Sequence, residues 1–241
     1  MTRAPLSVVI PTLEAAAVIG PCLAALIPGL ERGVIRELVI VDGGSSDEIA
    51  AVAEGVGARL IAAPPGRGGQ LAAGVAASSG AWVLVLHADT VLSPDWSEAV
   101  AAHMARHPQA AGYCALRFDD PGLAAGFVAG WANLRSRLFG LPFGDQGLLM
   151  PRSLYDAAGG YPEIPLMEDV ALVRAIRRFG GRAALRPLGA TALSSAERYR
   201  RDGWLRRGAR NLWLLARYSL GADPAVLAAA YARRREPGGG A

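Results

Sequence analysis

The chain has 241 residues, of which 52% are hydrophobic and 19% charged, with two cysteines and a formal net charge of +4. That length and apolar share sustain one well-buried core and exclude a disordered or fibrous chain. Cys22 and Cys114 lie far apart with no ligand spacing around them, so neither a cysteine-held metal nor an oxidising compartment is indicated.

In chain order, residues 6–10 (Leu-Ser-Val-Val-Ile) read as a strand closed by Pro11. Residues 1–5 leave no room before it for a secretory leader, so a cytoplasmic protein is expected. Residues 15–30 read as a helix interrupted near Pro21 and Pro28, and residues 38–41 as a second strand. After it come the loop Asp42-Gly43-Gly44-Ser45-Ser46-Asp47 and an alanine-rich helix. A short strand at 58–62, a helix at 69–79 and a strand at 82–86 complete a βαβ rhythm. This order predicts right-handed crossovers and a parallel sheet with helices on both faces.

Beyond Pro94 the rhythm changes. A helix is expected over 94–107, a strand over 112–118, and an amphipathic helix over 127–139. A turn at Gly144-Asp145-Gln146-Gly147 precedes the apolar 148–150, and a helix opened by Pro165-Leu166-Met167-Glu168-Asp169 runs to Phe179. Residues 199–218 mix Trp204, Leu205 and Trp213 with six arginines. Residues 198–241 hold ten arginines against three acids, leaving residues 1–197 at −3. Such asymmetry points to phosphate-bearing material, either a membrane surface or an anionic substrate, or else marks a solvated helix face. No window approaches the roughly 18 apolar residues of a membrane span, the nearest being 122–132.

Four places carry candidate chemistry. Asp42 ends a buried strand before a helix start, where it can receive hydrogen bonds from a base or ribose, or simply cap the turn. Arg67 can neutralise a phosphate, and Gln70 can orient a bound group at the next helix start. His87-Ala88-Asp89 ends a fully apolar strand, and residues two apart share a face, so both can approach one hard cation that keeps water and phosphate ligands. Glu168 and Asp169 open a helix, where the dipole favours negative charge. Neighbouring helical side chains diverge, so one carboxylate can face a reacting hydroxyl while the other supports it. Each group also has a purely structural use as a cap, loop or acidic first turn.

Taken together, Val9-Ile10-Pro11-Thr12-Leu13, Val39 through Asp47, Gly66-Arg67-Gly68-Gly69-Gln70, Leu86-His87-Ala88-Asp89-Thr90 and Met167-Glu168-Asp169 resemble the family 2 glycosyltransferases. Asn133-Leu134-Arg135-Ser136-Arg137, Gly144-Asp145-Gln146-Gly147 and Pro165 through Asp169 further resemble small bacterial members associated with radical-SAM and selenium-type proteins or arsenosugar biosynthesis. The resemblance implies an α/β GT-A fold: a Rossmann-like, mostly parallel central sheet flanked by helices, with C-terminal helices. It implies one domain over 1–232, divided into a nucleotide-binding half (1–93), an acceptor-binding half (94–197) and basic amphipathic helices (198–232). A disordered tail is expected at 233–241.

The same resemblance implies a nucleoside-diphosphate sugar donor, a UDP-sugar first among them, with Mg²⁺ or Mn²⁺ and inversion at the anomeric carbon. Pro11, Thr12 and Glu14 would lie beside the base, Asp42 and Gly43 at the base or ribose, and Arg67 and Gln70 near the nucleotide. Asp89 would bind metal with His87 beside it, and Asp169 would be the general base supported by Glu168. His87 stands where the family more often has aspartate, and Glu14 where asparagine is usual. The Gln-x-x-Arg-Trp signature of processive members is absent, so single-sugar transfer is expected. The acceptor would be a small molecule or lipid-linked, with peripheral contact at the inner face of a membrane through the basic C-terminal helices and no nucleic acid partner. The competing reading is a catalytically silent nucleotide-sugar binding or scaffolding protein, favoured by His87 and disfavoured by Asp89 and Asp169.

Overall fold

Alternation along the first strand divides its side chains between two cores. Leu6, Val8 and Ile10 pack on one face with Ile40, Leu84 and Leu86, while Val9 packs on the other with Val39, Val41, Val83 and Val85. Strands buried on both faces become nearly continuous apolar runs, which is why these segments could be read from sequence. The computed structural model describes residues 4–232, so the tail expected at 233–241 lies outside the described residues.

The first half alternates as expected. Strand β1 (Leu6–Thr12) is followed by helices α1 (Gly20–Ala24) and α2 (Ile27–Glu31), then β2 (Ile35–Asp42), α3 (Ile49–Gly55), β3 (Arg59–Ala62), α4 (Arg67–Ala77) and β4 (Trp82–Val85). The second half comprises β5 (Thr90–Leu92), α5 (Trp96–Arg106), β6 (Ala111–Phe118), α6 (Leu123–Phe139), a 3-10 turn (Gly144–Gln146), β7 (Leu148–Pro151), α7 (Arg152–Ala157) and α8 (Glu168–Gly180). After a second 3-10 turn (Arg182–Ala184) come β8 (Leu185–Ser194), α9 (Glu197–Asp202), α10 (Trp204–Ser219) and α11 (Pro224–Ala232).

The described strands form one eight-stranded sheet in the order β3-β2-β1-β4-β7-β6-β8-β5. Pairs β3-β2, β2-β1, β1-β4 and β6-β8 are parallel, whereas β7 runs antiparallel to β4 and β6, and β5 antiparallel to β8. Helices α1, α2, α3 and α5 cover one face through residues such as Cys22, Ile49 and Trp96. Helices α4, α7 and α8 cover the other through Leu71, Leu154 and Leu172. Gly74 lets α4 lie directly on the sheet, since a Cβ there would fall 2.5 Å from Val9 and 2.6 Å from Val41. Cys22 is a buried free thiol, pushed up to about 12 by that burial.

Three expectations are corrected. Pro11 does not close β1, which continues in register with β2 to Thr12. Its missing N–H points the same way as the groups of Val9, toward β4, which has already ended, so no ladder bond is lost. The helix expected at 15–30 with interruptions near Pro21 and Pro28 begins only at Gly20 and is two five-residue helices, in which each proline sits in the opening turn, because a proline starts a helix more readily than it sits inside one. The aromatic and basic residues of 199–218 do not share one helix: Gly203, whose φ of 83° no helical residue adopts, separates α9 from α10.

Candidate active site

The carboxyl ends of β1 and β2 form a shelf of interlocked loops. Asp42 accepts hydrogen bonds from Gly44 N–H (3.0 Å), Ser45 N–H (2.8 Å) and the hydroxyls of Ser45 (2.5 Å) and Thr12 (3.2 Å). Burial alone would raise its carboxyl, but the bonds from Ser45, Gly44 and Thr12 together outweigh it and hold the group below the usual range. Glu14, in the left-handed region at φ 51°, accepts from Ser46 N–H and hydroxyl at 2.8 and 3.0 Å. Gln70 is buried, donating to the carbonyls of Thr12 (2.8 Å) and Val41 (2.9 Å) and accepting from Gly66 N–H (3.3 Å). Its amide is a strut between the two strand ends. Gly43 lies against that amide, with space for a Cβ only 3.1 Å from Gln70 Nε2.

Further along the same sheet edge lies a cavity of about 160 Å³. Its wall includes Arg67 from the start of α4, His87 and Asp89 from the turn after β4, and Glu168 and Asp169 from the start of α8. Five of the expected site residues therefore converge from three separate elements. Pro11, Thr12, Glu14, Asp42, Gly43 and Gln70 do not line this cavity; they form the shelf at the ends of the neighbouring strands.

The 3-10 turn links the converging groups. Gly144 N–H donates to Asp169 Oδ2 at 2.7 Å, and a Cβ on Gly144 would fall 2.6 Å from His87 Nε2. Asp169 Oδ1 accepts from Val170 N–H at 2.7 Å, so this carboxylate is fixed at the helix N-terminus, where the dipole favours its charge. Met167, just before α8, is held at φ 69° and packs with Val170, Leu214 and Leu227. A non-glycine residue keeps such a conformation only where its surroundings over-determine it.

The two acidic neighbours differ. Glu168 is 2% exposed and its Oε1 lies 3.6 Å from Arg67 Nη1, too long for a hydrogen bond. Burial and the adjacent Asp169 push its carboxyl up to about 7. His87 moves the other way: burial, with the guanidiniums of Arg67 and Arg198, holds its imidazole well below the usual value and therefore neutral. A neutral imidazole and the Asp89 carboxylate are both competent metal ligands. Among the described residues no three histidine, cysteine or acidic side chains gather to hold an ion alone. The donor set fits a hard cation that takes its remaining ligands from water and a phosphate group.

Several cavity residues were not singled out in the sequence. Asp145, in the 3-10 turn, lines the wall with a buried Oδ1 that has no hydrogen-bond partner, and burial raises it to about 6. Its turn position was visible, but its burial is a product of packing. Arg198, Tyr199 and Arg207 reach the same cavity from α9 and α10. Arg207 bonds Asp202 at 2.6 Å and the Tyr231 hydroxyl at 3.0 Å, and its guanidinium lies 5.3 Å from the Tyr199 ring centroid.

Comparison with known proteins bears on the family and the fold. The family described as Glycosyl transferase family 2 matches residues 7–138. A mycobacterial protein of known crystal structure is similar with a TM-score of 0.61 and 23% identity, over 79% of this chain and 67% of that one. Glucosyl-3-phosphoglycerate synthase from Mycobacterium tuberculosis, in complex with Mn²⁺, UDP-glucose and phosphoglyceric acid, is similar with a TM-score of 0.56 and 24% identity, over 79% and 72% of the two chains. The same synthase with UDP gives 0.55 and 25%, over 77% and 70%. No curated protein sequence matches the chain.

Proposed function

Because the chain belongs to glycosyl transferase family 2 and has the GT-A fold, we propose that it moves one sugar from a nucleoside-diphosphate sugar to an acceptor hydroxyl with inversion. The observation that carries this reading is the Gly144 peptide, which holds Asp169 by its N–H and abuts His87, coupling a candidate base to a candidate metal pair across one cavity. Asp169 would remove the acceptor hydroxyl's proton as the new glycosidic bond forms. Arg67 and the helix start would meet negative charge on the departing diphosphate. A bound Mg²⁺ or Mn²⁺, held by Asp89 and His87, would supply Lewis-acid stabilisation of that diphosphate.

The mycobacterial synthase, whose structures hold Mn²⁺ with UDP-glucose, supports a UDP-sugar donor by analogy. The shelf of Pro11, Thr12, Glu14, Asp42 and Gly43 would seat the base and ribose, with Gln70 bracing it from below. We place the chain with the small bacterial members named above, on the Asn133–Arg137 and Gly144–Gly147 blocks. Residues 1–93 would then form the donor half and 94–197 the acceptor half of a single cytoplasmic domain over 1–232. The acceptor would be a small molecule or lipid-linked, and the basic C-terminal helices remain a candidate peripheral contact with the membrane's inner face.

Donor hydrolysis with and without Mn²⁺ tests the reading. Turnover of a UDP-sugar that requires the ion is expected, with Asp89→Ala weakening ion-dependent donor binding. Asp169→Asn should bind donor normally while losing about 10²- to 10⁴-fold in transfer. Donor binding without turnover across a panel of sugars would favour the silent binding protein instead, and full transfer by Asp169→Asn would remove the base assignment.

A further inference from the structure

Helix α6 is amphipathic in an unusual sense. Its inward face is small: Ala125, Ala129, Ala132 and Ser136 are buried. Its outward face carries Leu123, Phe127, Trp131, Leu134 and Leu138, which are 94%, 68%, 43%, 45% and 53% exposed. Their spacing of four, four, three and four residues is that of a single helical stripe. The stripe spans roughly 22 Å at 1.5 Å per residue. Trp131 shares a cleft with Leu212 of α10, and the exposed Leu205 lies one heptad before Leu212, extending the apolar surface onto that helix. Isolated exposed leucines need no explanation, but a continuous aromatic and aliphatic stripe marks a contact surface.

Charge around the stripe selects the occupant. Helix α6 contains no acidic residue, and its one buried arginine, Arg135, turns inward over the Phe143 ring. At its C-terminal end, Arg137, Arg177 and Arg182 line a cavity of about 510 Å³ together with Leu138, and no carboxylate contributes to that wall. Arg177 donates to the Phe139 carbonyl and Arg182 to the Leu138 carbonyl, which fixes both guanidiniums beside the stripe. At the other end Asp119 and Asp120 are already engaged by Arg200, at 2.8 and 3.1 Å. A second copy of this face would therefore bring arginines without free counter-charge.

We propose that the α6 face, with Leu205 and Leu212 of α10, lies on an anionic phospholipid surface. The apolar stripe would enter the acyl boundary, and the Arg137, Arg177 and Arg182 cluster would meet headgroup phosphates. A helix of 17 residues is too short to cross a bilayer but suited to lie along one. This inference is independent of the transferase reading. It places the membrane contact on a central helix, with the C-terminal segment contributing two side chains to its edge.

Co-sedimentation of the full chain with vesicles tests it, using phosphatidylcholine alone and phosphatidylcholine mixed with phosphatidylglycerol. Binding to the anionic vesicles only is expected, weakened at least tenfold in Phe127→Asp/Leu134→Asp and in Leu123→Asp. Leu123 is almost fully exposed, so that second variant leaves the fold intact and keeps the comparison decisive. Absence of binding, equal binding to neutral vesicles, or undiminished binding by these variants would overturn the proposal. A solution dimer dissolved by the same substitutions would assign the face to a second copy instead.

Discussion

Glu168 and Asp169 are adjacent in sequence and opposite in circumstance. One is buried near an arginine and pushed up to about 7, while the other is fixed by two backbone N–H groups at a helix start. The raised value has a consequence for stability. In the unfolded chain Glu168 ionises near 4.5, so the folded protein keeps a proton that the unfolded chain has lost between there and about 7. Its favourable contribution is complete below pH 4.5 and is lost as pH rises through the folded value. Glu168→Gln removes this dependence. Relative to the variant, wild type should lose on the order of 3 kcal/mol between pH 4.5 and 7.5, as read from urea midpoints. Parallel pH profiles for the two proteins would refute the assignment. Strand ends and helix starts made His87, Asp89 and Asp169 legible in the sequence, because their positions follow from local pattern. Asp145 was legible only as part of a turn, since its unpartnered oxygen depends on walls drawn from distant elements.

Between elements, the approach of α4 to the segment before α8 sets where the carboxylates stand. A Cβ on Gly68 would fall 2.3 Å from the Pro162 carbonyl oxygen and 3.0 Å from that of Ile164. Backbone oxygens cannot rotate away as a side chain would, so Gly68→Ala must displace the loop that leads into Glu168 and Asp169. We expect a loss of about 1–3 kcal/mol in stability together with a fall in kcat larger than any change in donor affinity. Wild-type kcat in a correctly folded Gly68→Ala would show that the loop does not position the base. The glycine itself was visible in the sequence, but only as part of a loop. The strands of the second half were harder to read. Strand β5 has three residues, too few for a pattern. Strand β8 contains Pro187 and Gly189, which interrupt a strand pattern; the register with β6 shifts between Tyr113 and Ala115, and Gly189 takes up a φ of 86°. Parallel βαβ units advertise themselves by alternation, whereas mixed strands held by an irregular ladder do not.

At the scale of the molecule, the charge asymmetry acquires an internal use. Residues 1–197 carry −3 and residues 198–241 carry +7, and in the fold Arg198 and Arg207 reach the same cavity as Asp89, Asp145, Glu168 and Asp169. Two arginines of the basic C-terminal helices thus line one pocket with four acidic side chains, an arrangement that composition alone leaves indistinguishable from a surface made for membrane or nucleic acid. Arg207 is the tie. It is 8% exposed, bonds Asp202 at the end of α9 and Tyr231 in α11, and lies over the Tyr199 ring. Replacing it by leucine retains apolar volume but removes the Arg207 bonds that join α10 to Asp202 and Tyr231, while Arg201 still holds Asp202 and Arg210 still contacts Tyr231, so the loss should fall on the C-terminal helices and not on the sheet. Arg207→Leu should lower stability by about 1–3 kcal/mol. Amide hydrogen exchange should speed up in α10 and α11 while β1, β2 and β4 keep their protection, because local opening follows the contacts that are lost. Uniform acceleration across the sheet would mean that the C-terminal helices and the sheet open as one unit, and would overturn the view of this segment as a separately held cover.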